Sequence, residues 1–156
     1  MPIIAKAQNR EGGFQPCPPG PHAAVCVDVV DLGLQDNKFQ PGKQQHKIRI
    51  VWQVDERMDD GRPYIASRMF TLSLDQKSAL RAVLESWRGR PFTTEELNGW
   101  DVESVVGVPC MINVVESKAE DGKTYSNVRD VTRLLKSVPA PVPDPTYTRV
   151  KDRPAA

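Results

Sequence analysis

The chain of 156 residues has little of what enzyme chemistry usually requires. It holds two histidines and three cysteines, with neither a Cys-x-x-Cys nor a His-x-x-x-His pair. Most zinc sites display that spacing, so no metal site and no cofactor are expected. The sequence also lacks a Gly-x-Ser-x-Gly and a phosphate-cradling glycine loop. Asp59-Asp60 and Glu95-Glu96 are explained as a turn and a helix start, so no catalytic group stands out and the chain is read as non-enzymatic. No apolar run approaches membrane-spanning length, which argues against membrane association. The opening MPIIAKAQNREGG lacks the apolar centre of a secretory signal. Cys17, Cys26 and Cys110 cannot all pair with one another, and a reducing cytoplasm is the expected location. Cys26 and Cys110 sit in apolar strands, where cysteine behaves as a small hydrophobe.

Charge of one sign is also scarce, since the net charge is only +1. Its distribution is uneven. Residues 43–90 carry ten Lys/Arg against six Asp/Glu, a net of +4, whereas residues 91–106 carry four acids and no base. Such asymmetry leaves room for one basic face on a nearly neutral protein; ordinary surface scatter explains it equally well. The length suits one domain with a proper core. Proline is abundant, with 14 residues, and clusters at 16–21 and 139–154. That predicts a flexible arm over residues 1–20, a folded domain over 21–136 and a disordered Pro-rich tail over 137–156. The tail has no periodic apolar face to offset the entropy of ordering, so its removal is expected to leave stability unchanged.

Five strand patterns fill the middle. Val25, Val27 and Val29 alternate with Ala24, Cys26 and Asp28, which reads as a half-buried strand, and Gly33 marks a bulge or bend. Over residues 45–55, Ile48, Ile50, Trp52 and Val54 share the face expected to form core, while Lys47, Arg49, Val51 and Gln53 share the other. After the Asp59-Asp60-Gly61 turn, residues 64–72 pair back as the third strand. There Ile65 and Met69 compete with Phe70 and Leu72 for the core, and a bulge near Arg68 would reconcile them. Ser73 to Gln76 reads as a capping box opening a helix whose stripe is Leu80, Val83, Leu84 and Trp87, closed by Gly89 and Pro91. Thr93 to Glu96 is a second capping box, and Asp101 caps a further turn. Residues 109–116 and 124–131, joined by Asp121-Gly122, form the last hairpin. Five strands with helices between the third and fourth predict an all-β, five-stranded OB-fold barrel.

That fold offers a groove on the face of strands two and three, flanked by the loops joining strands one to two and four to five. Lys47, Arg49 and Arg68 lie on those strands; Phe39 and Lys43 belong to the first loop, Lys123 and Tyr125 to the second. Lysine and arginine in a groove contact phosphates, and Tyr64, Phe70 and Tyr125 offer rings for stacking on bases. Arg88 and Arg90 are secondary candidates, though a helix C-terminus also attracts cations. The competing reading of each aromatic is core, since folded domains bury most large rings.

The run from His22 to Leu135 resembles a family of small phage and prophage replication proteins of OB-like, single-stranded-DNA-binding character. The segments that carry the likeness are PGPHAAVCVDVVDLG, KIRIVWQVDE, SRMFTLSLDQKSALRAVLESWRGRPFTTEEL and VVGVPCMINVVESKAEDGKTYSNV. The resemblance implies non-enzymatic single-stranded DNA binding in phage or prophage DNA replication or recombination, in the host-cell cytoplasm. The partners it implies are single-stranded DNA and replication or recombination proteins, and a homo-oligomer is compatible with it. The sequence departs from bacterial single-strand-binding proteins in having no acidic, Phe-ended tail. The alternative is an OB-fold interaction module that engages a replication or host protein.

Overall fold

The computed structural model describes residues 16–37, 40–118, 120 and 122–153. Most of the expected N-terminal arm and Phe39 lie outside the described residues. Five antiparallel strands make one sheet: β1 (Gly20–Asp36), β2 (Gln44–Arg57), β3 (Pro63–Thr71), β4 (Pro109–Lys118) and β5 (Thr124–Thr132), in the order β3-β2-β1-β4-β5. The all-β expectation holds. The edge strands β3 and β5 are not joined by a ladder among the described residues. They meet through Arg68, whose Nη1 donates to the carbonyl of Arg129 at 3.1 Å. Arg129 is the extra residue where the β4–β5 register shifts between Asn113 and Val114.

The core follows the period of two on β2. Ile48, Ile50, Trp52 and Val54 are buried, as expected, with Ala24, Cys26, Cys110, Ile112, Val114, Val128 and Val131 around them. Helix α1 (Ala79–Arg88) adds the Leu80, Val83, Leu84 and Trp87 stripe, and the Trp87 ring lies 5.9 Å from Trp52. On β3, Ala66 and Phe70 are buried while Met69 is 52% exposed, which settles the facing in favour of Phe70. The expected bulge near Arg68 is absent. Pairing runs without a shift from Lys47↔Thr71 to Gln53↔Ile65, so plain alternation suffices.

Three other expectations are corrected. Strand β1 is buried on both faces, not half-buried. Its register shifts between Cys26 and Asp28, so Ala24 and Cys26 enter the main core while Val25, Val27 and Val51 form a second cluster on the outer face. The anticipated bend at Gly33 is present as a further shift between Asp31 and Gly33, with Gly33 at φ 70°. Helix α1 does not start at Ser73. The Ser73 hydroxyl instead accepts from the Asp75 N–H, a local turn, and Ser78 is the N-cap, accepting from the Arg81 N–H at 3.0 Å. Serine offers the same capping oxygen at both positions, and the later one starts the helix where its apolar stripe meets the core.

The tail, expected to be disordered, is docked over part of its length. Residues 142–150 lie against the outer face of the sheet. Gln53 donates to the Val142 carbonyl at 3.0 Å and accepts from the Asp144 N–H at 2.7 Å. Buried Asp28 accepts from Tyr147 Oη, Arg149 Nε and the Val150 N–H, each at 2.9 Å. The Tyr147 ring packs on the Val25, Val27 and Val51 cluster. Polar anchors hold this segment, which is why a search for apolar periodicity passes over it.

Elsewhere the capping signals hold. Thr93 and Glu96 form both arms of a capping box at α2 (Thr94–Leu97), and Asp101 caps a 3₁₀ turn over Val102–Val105. Gly89 closes α1 at φ 75°, its N–H bonded to the Glu85 carbonyl. A Cβ there would collide with the Arg133 side chain. Gly89→Ala should therefore cost about 1–2 kcal/mol from the left-handed backbone alone. Urea unfolding reads it, and a parental midpoint would contradict this role for the cap.

Candidate nucleic-acid interface

A groove of about 1130 Å³ runs over the outer face of β2 and β3 toward the β4–β5 hairpin. Its floor includes Val30, Val51 and Ile65, and Arg49, Lys123 and Arg153 rise around it beside the rings of Tyr125 and Tyr147. A neighbouring hollow of about 520 Å³ shares Arg49, Ser67, Tyr125 and Ser126 and extends the surface to Arg68. Among the described residues lining either one there are four cations and no Asp or Glu. Low-dielectric walls lined by one sign of charge concentrate ions of the opposite sign in general.

The fold explains how the acids were removed from the groove. Two of the four acids in the stretch 91–106, Glu96 and Glu103, pair with cations that do not line the groove. Glu96 binds Arg88 at 2.7 Å and lies 3.9 Å from Arg90, while Glu103 binds Arg149 at 2.5 Å and lies 4.0 Å from Lys151. The Arg88 guanidinium and the Thr93 N–H hold the Glu96 carboxyl down at about 2. The uneven charge of the sequence thus leaves cations around the groove while Glu96 and Glu103 are paired elsewhere.

The expected site residues divide accordingly. Arg49, Arg68, Lys123 and Tyr125 come together, and Tyr125 is 47% exposed. Arg68 reaches the groove differently from the expectation. It pairs with Ile50, so it stands on the inner face of β3, stacks 4.8 Å from the Phe70 ring and reaches the β3–β5 seam. Lys47 shares the outer face with Arg49 but does not line the groove; its Nζ donates to Thr71 Oγ1 at 2.7 Å. Lys43 is exposed in the β1–β2 loop and also stands apart.

Phe70 is 2% exposed and belongs to the core, which corrects its assignment as a stacking ring. Tyr64 packs against the same core. Arg88 sits 4.4 Å from the Phe92 ring and pairs with Glu96, so it and Arg90 line a separate pocket that shares no residue with the groove. Sequence reasoning missed Tyr147 and Arg153, whose contribution depends on the docked tail. Their signal was an aromatic and several cations within a stretch otherwise rich in proline.

The groove offers no reactive thiol. Burial pushes Cys26 up to about 12, and burial followed by the nearby Glu56 charge does the same for Cys17. Thiols held that high stay protonated and are poor nucleophiles. Among the described residues no group of three or more His, Cys, Asp or Glu could hold a metal ion, and no helix is long and apolar enough to cross a membrane. No protein-family model and no curated protein matches the chain.

Proposed function

We propose that the protein binds single-stranded DNA along this groove, without catalysis, in phage or prophage replication or recombination. We also infer that the sheet is an OB-type barrel whose seam lies between β3 and β5. Strand order and the Arg68–Arg129 bridge support that reading. The observation that carries the function is that, among the described lining residues, four cations and no acid stand beside Tyr125 and Tyr147. Cations track a phosphate backbone, and aromatic faces stack on bases of any sequence. A flexible single strand suits a curved groove with an apolar floor better than a stiff duplex does.

Arg49 and Lys123 test the proposal, because both are exposed and substitution there should change stability by no more than about 0.5 kcal/mol. The Arg49→Ala/Lys123→Ala protein is expected to bind a dT oligonucleotide more weakly. Its salt slope should be flatter by roughly 0.7 for each phosphate it no longer neutralises. Lys47→Ala, outside the groove, should do neither. A folded double variant with parental affinity would remove the groove as the binding site.

A further inference from the structure

A separate pocket of about 450 Å³ lies between the C-terminus of α1, α2, the 3₁₀ turn and the residues following β5. Its walls are apolar, with Trp87 and Trp100 among them, and its polar groups are Arg88, Arg90, Arg133, Ser104 and Glu96. Three guanidiniums thus face one carboxylate. Glu96 is already engaged by Arg88, by the Thr93 N–H at 2.9 Å and more distantly by Arg90. Arg88 Nη1 is buried and has no hydrogen-bond partner among the described residues. Buried guanidinium N–H groups are seldom left unpaired. The volume falls in the range of small-molecule sites, in which apolar walls surround a few converging polar groups.

We propose that this pocket binds a small carboxylate carried on an aromatic or branched apolar group. The apolar part would rest on Trp87 and Trp100, and the carboxylate would meet the guanidinium edge. Arginine forks match carboxylate geometry, and the low-dielectric walls strengthen that contact. A bare inorganic anion would leave the apolar walls unused, and a neutral aromatic would leave the excess positive charge uncompensated.

The test uses 4-tert-butylbenzoate, with 4-tert-butylbenzyl alcohol and inorganic phosphate as comparisons. Binding is followed by NMR at the indole N–H signals of Trp87 and Trp100, which localise the site. The benzoate should shift both, with a Kd on the order of 1 mM or tighter for a ligand of this size. The alcohol and phosphate should each bind about tenfold more weakly or worse. Two exposed positions check the geometry. Arg133→Gln should weaken benzoate about tenfold by removing one guanidinium. Val108→Glu places a repelling carboxylate at the pocket and should do at least as much. Val108 is 40% exposed, so this variant should fold. Equal binding of benzoate and alcohol, equal effect of phosphate, or no shift at either indole at millimolar benzoate would each overturn the proposal. Unchanged benzoate affinity in both folded variants would do so as well.

Discussion

Asp28→Ala should lower stability by about 3 kcal/mol, the low end of the cost of breaking a buried ion pair. Asp28 is 1% exposed and receives three hydrogen bonds from the tail. The low end applies because Arg149 keeps Glu103 as a second partner at 2.5 Å. Deleting residues 138–156 should cost more than the point change. It strands the Asp28 carboxylate without donors and uncovers Val25, Val27 and Val51. The composition of the tail alone implies no loss, so the deletion separates the two accounts. A truncated protein that melts like the parent would show that the tail contributes nothing.

The same group predicts a pH signature. Burial works to raise the Asp28 carboxyl, but bonds from the Val150 N–H, Arg149 and Tyr147 outweigh it and leave the group below its ordinary value. A carboxyl depressed by folding stabilises fully above its unfolded value, about 3.9, and the contribution is lost as pH falls through the folded value. Glu96, held at about 2, acts with the same sign. Stability should therefore fall between about pH 4 and about pH 2. Asp28→Ala should show a shallower acid limb, still sloped by Glu96. A variant whose acid limb matches the parent's would contradict this assignment.

Trp52→Ala is expected to cost about 3–5 kcal/mol, the usual range for a buried large aromatic. Trp52 is fully buried between Ile50 and Val54, and its ring meets Trp87. The substitution opens a cavity in the centre of the sheet and removes the surface on which α1 rests. Its Nε1 has no hydrogen-bond partner among the described residues, so Trp52→Phe should recover most of the loss. Guanidinium unfolding measures both variants. A Trp52→Ala protein of parental stability with impaired DNA binding would make this ring a stacking platform instead of core.

Much of the fold was legible because period-2 alternation is strong where one face alone is buried. On β2 the apolar residues Ile48, Ile50, Trp52 and Val54 still fall on one face, although the tail also buries Val51 and Gln53 on the other. The same rule failed on β1, where Val27 shifts the phase and a distant segment covers the outer face. No local pattern reports what residues 142–150 will do to Asp28, since those contacts span more than a hundred positions. The site was legible in part for the same reason. Strand facing and loop position put Arg49, Lys123 and Tyr125 at the groove that they line in the structure. Phe70 was misassigned because β3 carries apolar residues on both faces. Arg88 lies apart from the groove, paired with Glu96 on another helix, a contact no local pattern shows. Tyr147 and Arg153 enter the groove only through tertiary docking.

Electrostatic recognition of a flexible polyanion by the groove is tested most directly by salt dependence. Fluorescence anisotropy of a labelled dT oligonucleotide, titrated with the native protein at several salt concentrations, gives the slope of log affinity against log salt. Four groove cations predict a clear negative slope, roughly −0.7 for each phosphate neutralised and so about −2 to −3 if three or four engage. No binding at low salt, or binding that does not change with salt, would contradict the account and favour a protein-interaction module on the same sheet.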